Sequence, residues 1–255
     1  MAAKTKMKIA IFQNPQELGK AAGTDAARWI RKQIEAKGSA NIILATGTSQ
    51  FEIINELIQE TNIEWNKVVM FHLDEYIGLP ETHAASFRKY LKERFLSKVS
   101  PLRATYLING ETDAQKECDR LGALIARYPI DVALVGIGEN GHLAFNDPPA
   151  NFETESPYII VELDETSRKQ QLGEGWFKSF EDVPHKAISM SIKQILRSEY
   201  IICSVPDKRK AVVVKNTLEQ PVSNHYPASI LRTHENCSLY LDKDSASLIS
   251  GNLAS

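Results

Sequence analysis

Short apolar runs alternate along the chain with longer stretches in which apolar residues recur every three or four positions. Several short runs contain almost no polar residue, which is typical of strands that are covered on both faces of a sheet. The short runs predict strands at 8–12, 41–45, 67–73, 131–135, 158–161, 200–204 and 238–241. The longer stretches predict helices at 15–37, 49–60, 86–97, 112–127 and 208–219.

The order of these elements predicts the fold class. Strands alternate with helices, which is typical of a mostly parallel sheet with right-handed crossovers. The first helix has matching end signals, with Asn14 as its cap, Pro15 in its first turn and Gly38 beyond its end. We therefore expect an α/β fold: a single doubly wound, mostly parallel sheet sandwiched by helices in a Rossmann-like, three-layer arrangement. No repeat or linker interrupts the pattern, so residues 1–255 are expected to form one domain.

Composition and charge narrow the classes of partner. With 43% hydrophobic residues among 255, the chain is large enough to bury a core without disulfides or a structural metal. A formal net charge of −2 argues against a broad basic surface for nucleic acid or for a membrane. No apolar run approaches the roughly 20 residues of a membrane span, and the first run is too short for a signal peptide. Three widely spaced cysteines fit a reducing compartment, so we expect a cytoplasmic protein.

A polar segment that suits a phosphate follows the second predicted strand. Thr46, Gly47, Thr48 and Ser49 stand where a helix begins, so hydroxyl groups and unpaired helix amides meet there. The segment lacks the GxxxxGK[ST] pattern and is not a Walker loop. The alternative is that Ser49 merely caps the helix.

Two adjacent acids, Asp74 and Glu75, follow the third predicted strand. In an extended chain they point to opposite faces, so one of them can enter a crevice at the strand end and act as a general base. The acids could instead cap a loop. A metal site that adds His72 and His83 is disfavoured, because no HxH or HExxH spacing supports it.

The loop after the fourth predicted strand formally satisfies GxGxxG through Gly136, Gly138 and Gly141. A dinucleotide site requires a helix to begin there, and Pro148 and Pro149 stop a helix within two turns. The motif also lies in the middle of the chain instead of after the first strand. Dinucleotide binding is therefore disfavoured.

The same loop fits acid–base chemistry better. Histidine is the side chain best suited to exchange protons under physiological conditions, and Asp147 lies five residues after His142, where it could orient the imidazole. No GxSxG motif supplies a nucleophile. The sequence thus offers a phosphate-binding segment, a carboxylate base and a His–carboxylate pair. Together these groups suit proton transfer on a phosphorylated small molecule, such as an aldose–ketose isomerisation.

Three segments, at 44–48, 71–80 and 136–148, resemble the glucosamine-6-phosphate deaminase (isomerase) family, which includes the galactosamine-6-phosphate enzymes. The motifs Asp-Glu-Tyr-x-Gly-Leu-Pro and Gly-His-x-x-Phe-Asn are specific in combination. Further matches lie at 183–190 and in the segment 210–231, so the resemblance covers nearly the whole chain in the right order.

The resemblance implies that an amino-sugar 6-phosphate and water become fructose 6-phosphate, or tagatose 6-phosphate, and ammonia. It implies that Asp74 moves a proton between C2 and C1, that His142 opens the sugar ring and that Asp147 supports His142. It implies no metal and no organic cofactor. The phosphate is expected at Thr46, Gly47, Thr48, Ser49 and Lys210.

The chain departs from the family pattern at several places, one of which is Pro149 where the family usually has a glycine. Asn140 stands where many relatives have an aspartate, and it cannot be a carboxylate partner for His142. Asp147 replaces a glutamate, so we expect a shift of the loop or an intervening water. Gly175 stands where an arginine binds phosphate in well-studied relatives, and Arg168 is expected to compensate. We therefore expect a divergent member, and the choice between gluco and galacto substrates stays open.

Two rival functions share the fold. A 6-phosphogluconolactonase ends its third strand in Asp-Glu-Arg, whereas this chain has Tyr76, and the loop after His142 lacks the Ser-Leu-Phe-Pro pattern of that family. A sugar-phosphate sensing domain needs an attached DNA-binding unit, for which we expect no residues to remain. Family members range from monomers to regulated hexamers, so homo-oligomerisation is left open.

Overall fold

The computed structural model describes residues 7–251, and its strands form two separate sheets. Seven parallel strands form the main sheet in the order β1-β10-β9-β6-β2-β3-β5, and a small antiparallel sheet has the order β4-β8-β7. The strands are β1 (Lys8–Phe12), β2 (Ala40–Leu44), β3 (Val68–His72), β4 (Asp74–Tyr76), β5 (Ala104–Tyr106), β6 (Val132–Val135), β7 (Tyr158–Glu162), β8 (Lys186–Met190), β9 (Tyr200–Val205) and β10 (Cys237–Asp242).

Helices cover both faces of the main sheet. They are α1 (Pro15–Lys37), α2 (Phe51–Gln59), α3 (Phe87–Leu91), α4 (Ala114–Ile125), α5 (Glu165–Gly173), α6 (Ile192–Leu196) and α7 (Ala211–Glu219). Apolar side chains of α1, α2 and α3 form one core layer, and those of α4, α6 and α7 form the other. The three-layer α/β fold with a parallel main sheet is therefore confirmed.

Strand β2 shows why the apolar runs are nearly continuous. All five of its residues are buried. Ile42 and Leu44 pack into the layer of α1 and α2, whereas Ile43 packs into the opposite layer. A strand with helices on both faces has no side that faces water, so both sets of alternating side chains are apolar.

The small sheet was not predicted from the sequence. The strand expected at 158–161 exists as β7, but it pairs antiparallel with β8 instead of joining the main sheet. Residues 74–76, which follow the third predicted strand, form β4 and pair with β8 on its other side. The pattern also missed β5, β8, α5 and α6. These elements have between three and nine residues, too few to show a clear period.

Two glycines let α1 and α2 pack closely. A Cβ atom on Gly19 would lie 2.2 Å from the Cβ of Glu52, and one on Gly23 would lie 2.6 Å from the Cβ of Glu56. Because α2 follows the loop after β2, this contact determines where that loop lies.

The order in which successive strands are added to the main sheet changes direction between β2 and β6, which are neighbours in it. From β2 the chain proceeds to β3 and β5 on one side, whereas β6, β9 and β10 lie on the other. Connections leave such a pair of strands in opposite directions, so a crevice opens at their carboxyl ends. Across residues 7–251, no helix combines the length and the apolar character needed to cross a membrane.

Candidate active site

A cavity of about 400 Å³ occupies this crevice. It is lined by the loops after β2, β3, β6 and β9 and by the end of α5. Its volume falls in the range of small-molecule sites. The structure thus brings most of the sequence-predicted site residues to one place: Thr46, Gly47, Thr48, Ser49, Asp74, His142 and Lys210.

The loop after β2 forms one wall of the cavity. Gly47 has φ +95°, a conformation that side chains disfavour, and its carbonyl accepts a hydrogen bond from the Tyr90 hydroxyl at 3.0 Å. A 3₁₀ turn at Thr48–Gln50 precedes α2, so the regular helix begins later than residue 49. The side-chain amide of Gln50 donates hydrogen bonds to the hydroxyls of Ser49 and Ser204, so the turn is attached to β9.

Lys210 lies at the end of the short turn after β9, on the cavity wall. Its burial lowers its pKa to about 8, and the nearby carboxylates of Glu139 and Glu174 partly oppose this shift. Arg209 also lines the cavity, and its guanidinium pairs with Asp207 at 3.0 Å and with Glu139 at 3.4 Å. Arg209 was not predicted as a site residue from the sequence. The signal for it was the basic run 208–210, which follows the strand predicted at 200–204 after three residues.

Arg168 does not reach the cavity, which contradicts its expected role in phosphate binding. Its guanidinium donates to the carbonyl oxygens of Phe180 at 2.8 Å and Val183 at 2.9 Å, and it lies 4.1 Å from the centre of the Phe180 ring. The face of α5 that lines the cavity carries Gln171 and Glu174 instead. Arg168 therefore supports the segment that follows α5.

Asp74 is the first residue of β4, and its side chain lines the cavity with only 6% of its surface exposed. Burial, with a smaller contribution from the charge of Glu75, raises the pKa of Asp74 to about 8. Among the described residues, no hydrogen bond to the Asp74 carboxylate opposes these two effects. The carboxylate is thus available to a ligand.

Glu75 points the other way and belongs to the scaffold. Its carboxylate accepts hydrogen bonds from the Ser86 hydroxyl at 3.1 Å and the Arg88 amide at 2.8 Å. The Arg88 guanidinium lies 3.4 Å from the same carboxylate. Burial raises the pKa of Glu75 despite these partners. The network anchors β4, which carries Asp74.

The small sheet ties the Asp74 strand to the loop that carries His142. Asp74 pairs with Ser189 of β8. The Ser189 hydroxyl accepts a hydrogen bond from the Phe145 amide at 3.0 Å, and the Asn146 side chain donates to the Met190 carbonyl at 2.8 Å. The two loops are therefore held to one common strand.

The imidazole of His142 packs directly on the backbone of Gly138. A Cβ atom on Gly138 would lie 2.1 Å from Cε1 and from Nε2 of the ring, so only glycine leaves room for it. On the other side of the ring, Nδ1 lies 2.8 Å from the Ser167 hydroxyl and 3.1 Å from Oδ1 of Asp147. The expected contact with Asp147 thus forms without an intervening water.

Asn140 does not contact the imidazole with its side-chain amide. Its Nδ2 donates to Asp147 and to Asp164, each at 2.9 Å, and its Oδ1 accepts from the backbone amide of His142 at 3.0 Å. Burial opposes the ionisation of Asp147, but the hydrogen bonds from His142, Asn140 and Ser167 outweigh it and lower its pKa to about 2.

Ser167 and Asp164 were not predicted as site residues from the sequence. Asp164 caps α5, and its Oδ1 accepts a hydrogen bond from the Ser167 amide at 2.6 Å. The signal was the pattern Asp-x-x-Ser before a helix, but α5 is polar and short and was not predicted as a helix.

The two histidines considered for a metal site are engaged elsewhere. His72 is fully buried, and its Nδ1 accepts a hydrogen bond from the Ile108 amide. The ring of His83 stacks on Phe177. Within residues 7–251, no group of three or more His, Cys, Asp or Glu side chains is arranged to hold a metal ion.

The chain is similar to known protein sequences over most of its length. The family model described as glucosamine-6-phosphate isomerases/6-phosphogluconolactonase matches residues 13–239. A glucosamine-6-phosphate deaminase of Bacillus cereus is 32% identical over 249 residues, which cover 97% of this chain and 91% of that protein. A glucosamine-6-phosphate deaminase of Bacillus thuringiensis is 33% identical with the same coverage.

Solved structures agree with the sequence comparison. A monomeric glucosamine-6-phosphate deaminase matches with a TM-score of 0.88 and 32% identity, covering 95% of this chain and 100% of that one. The 6-phosphogluconolactonase of Trypanosoma brucei matches with a TM-score of 0.80 and 20% identity, covering 97% of this chain and 100% of that one. At that identity the second likeness shows a shared fold alone.

Proposed function

The chain belongs to the glucosamine-6-phosphate isomerase/6-phosphogluconolactonase family, and on this premise we propose that it is an amino-sugar 6-phosphate deaminase. The proposed reaction converts glucosamine 6-phosphate and water into fructose 6-phosphate and ammonia. The relatives at 32–33% identity that are named for glucosamine 6-phosphate favour this substrate. Galactosamine 6-phosphate, which would give tagatose 6-phosphate, is the alternative substrate.

One observation carries the proposal: a buried carboxyl, an imidazole and a cation face the same cavity at the switch point of the sheet. Asp74 and His142 supply two groups that can take up and return protons, and Lys210 supplies a positive charge. An aldose–ketose conversion with loss of ammonia needs two proton transfers at neighbouring atoms and a hold on the phosphate.

We assign ring opening to His142. Its Nε2 takes the proton of the O1 hydroxyl, and the imidazolium then protonates the ring oxygen O5, so the C1–O5 bond breaks and the open-chain aldehyde forms. The negative charge of Asp147, next to Nδ1, stabilises the imidazolium that exists between the two transfers.

We assign the isomerisation to Asp74. Its carboxylate takes the proton from C2 and delivers it to C1. The oxygen O1 gains a proton and the C2 amine loses one, so the aldehyde becomes the C1 alcohol while C2 becomes an imine. Water then adds to the imine, ammonia leaves and the ketone remains. A carboxyl with a pKa raised to about 8 by burial is a stronger base than an exposed one.

We place the phosphate at the loop after β2 and the turn after β9. Thr46, Gly47, Thr48 and Ser49 offer hydroxyls and turn amides, and Lys210 and Arg209 offer positive charge. We also propose a cytoplasmic location, because the three cysteines are unpaired and buried, as is usual in a reducing compartment.

The test is a side-by-side assay of glucosamine 6-phosphate, galactosamine 6-phosphate and 6-phosphogluconolactone. We expect ammonia and a ketose phosphate from the first substrate. Lactone hydrolysis with no ammonia from either amino sugar would contradict the proposal and favour a lactonase. Binding of an amino-sugar phosphate without any turnover would favour a sensing domain.

The matched variants are Asp74→Asn and Asp119→Asn. We expect Asp74→Asn to lower kcat by about 10³-fold or more while substrate binding persists, because the amide cannot accept the C2 proton. Asp119 is exposed on α4, so its variant should behave as the wild type. Near-normal turnover of Asp74→Asn would remove Asp74 from the proposed step.

A further inference from the structure

The hydroxyl of Ser167 lies between the imidazole of His142 and the carboxylate of Asp147. Its oxygen is 2.8 Å from Nδ1, closer than the 3.1 Å that separates Nδ1 from Asp147. The same hydroxyl hydrogen-bonds to Oδ1 of Asp147. Ser167 is only 1% exposed and does not line the cavity, so it contacts His142 but would not contact a ligand in the cavity.

The charge of Asp147 sets the direction of these hydrogen bonds. Its carboxylate also accepts the amide of Asn140 and the backbone amide of Asp164, each at 2.9 Å. An ionised carboxylate only accepts, and a serine hydroxyl has one proton to give. Ser167 therefore donates to Asp147, and the Nδ1–H of His142 is shared between the Ser167 oxygen at 2.8 Å and Oδ1 of Asp147 at 3.1 Å. This arrangement leaves the lone pair of the neutral imidazole on Nε2.

The cap of α5 holds Ser167 in place. The Ser167 amide donates to Oδ1 of Asp164 at 2.6 Å, while Oδ2 of Asp164 accepts from Asn140 at 2.9 Å. The cap thus fixes the backbone of Ser167, and the contacts with His142 and Asp147 orient its hydroxyl.

We infer that Ser167 is a positioning residue for His142: its hydroxyl transmits the negative charge of Asp147 to Nδ1 and keeps Nε2 free to take the sugar proton. The inference rests on the proposed function for its catalytic consequence. The arrangement of protons on the imidazole, by contrast, can be measured without any substrate.

The activity test compares Ser167→Ala with Ser167→Thr. We expect the alanine variant to lower kcat by about 10- to 100-fold with little change in KM, because the lost group orients His142 and does not touch the substrate. Threonine keeps the hydroxyl and should restore most of the activity. Thr166→Ala removes an exposed hydroxyl from the same helix and should have no effect.

The substrate-free test is the ¹⁵N NMR spectrum of His142 at a pH at which the ring is neutral. The wild type should show the Nδ1–H tautomer, and Ser167→Ala should show a mixture of both tautomers. If the alanine variant does not fold, Ser167→Cys replaces it, because a thiol is a weak hydrogen-bonding group of similar size.

A double-mutant cycle with Asp147→Asn tests whether the two residues act through one path. The second substitution should cost much less in the Ser167→Ala background than in the wild type. Additive losses, or an alanine variant with unchanged tautomer and activity within twofold, would overturn the inference. If the wild type turns over none of the sugars, the proposed function fails, and the tautomer measurement alone decides the role of Ser167.

Discussion

At the scale of single residues, burial shifts the pKa values of Asp74 and Lys210, which both line the cavity, in opposite directions. It raises the pKa of the Asp74 carboxyl and lowers the pKa of the Lys210 ammonium, each to about 8, because a low-dielectric site disfavours the charged form of either group. The two groups therefore titrate in the same pH range. A bound phosphate would favour the charged form of Lys210.

The cost of burying Asp74 should be visible in stability. Its folded pKa of about 8 exceeds the unfolded value of about 3.9, so its contribution to stability is present below pH 4 and is lost as the pH rises through 8. Asp74→Asn cannot ionise, so at pH 9 it should melt at a higher temperature than the wild type. The difference should be roughly 2–4 °C for each kcal/mol that burial of the ionised Asp74 carboxylate costs the wild type. Calorimetry at pH 5 and pH 9 measures this.

Asp119→Asn serves as the control for that measurement, because Asp119 is exposed. If Asp74→Asn and Asp119→Asn show the same difference from the wild type at both pH values, the Asp74 carboxyl carries no unusual burial cost.

Gly138 should also matter for activity, because it leaves room for the imidazole of His142. In Gly138→Ala the new Cβ would occupy the place of the imidazole edge, so we expect the ring to be displaced and kcat/KM to fall by about 100-fold. Gly173 also lines the cavity, but a Cβ there would meet no atom within 4 Å, so Gly173→Ala should stay within a few-fold of the wild type. Equal activity of both variants would show that the tight contact does not position His142.

At the scale of elements, the site depends on how closely α1 approaches α2. The two glycines of α1 face the backbone and Cβ atoms of α2, and α2 begins directly after the loop of Thr46 and Gly47. Any side chain on this face of α1 would separate the helices and shift that loop. The same dependence joins β4 and the His142 loop, since both are held to β8.

Gly19→Ala tests the helix contact. We expect it to lower the free energy of unfolding by about 1–3 kcal/mol through overpacking and to raise KM, measured by urea unfolding and by steady-state kinetics. Gly122 lies within α4, where a Cβ would only touch Pro157 at 3.7 Å. Gly122→Ala should therefore raise stability by about 0.5–1 kcal/mol. Similar effects from both substitutions would contradict a specific contact between α1 and α2.

At the scale of the whole molecule, the charge that matters is local. A formal net charge of −2 does not by itself decide whether an anion binds, because the cavity is lined by the cations Arg209 and Lys210 as well as by carboxylates such as Glu139 and Glu174. The groups come from loops more than 100 residues apart in sequence, such as Thr48 and Arg209, and the parallel sheet brings those loops to one edge.

The pH profile of kcat/KM should reflect the titration of Asp74 and that of Lys210. Activity should rise as Asp74 loses its proton and fall as Lys210 loses its own, so we expect a narrow bell with its maximum near pH 8. Lys210→Arg keeps its charge at high pH and should flatten the alkaline limb. Ionisation of the substrate affects the wild type and Lys210→Arg alike. If the alkaline limbs of their two pH profiles are identical, Lys210 does not have the proposed role.

The sequence by itself determined the main sheet and most of the residues around its crevice. The strands β2, β3, β6, β9 and β10 are apolar runs that are buried on both faces, so the pattern predicted each of them to within one residue. The edge strand β1 is only partly buried, but its apolar residues also predicted it. Chemical groups at their carboxyl ends then had to share one edge, which placed Asp74, His142 and Lys210 together.

Only the tertiary structure decided how those groups are held. The small sheet, the cap of α5 and the contact of Ser167 with His142 join segments that carry no periodic signal of their own. The direction of Arg168 is set by the carbonyls of the segment after α5, which no local pattern predicts. Apolar periodicity reports which face is buried, whereas polar contacts between distant segments depend on where the chain brings them.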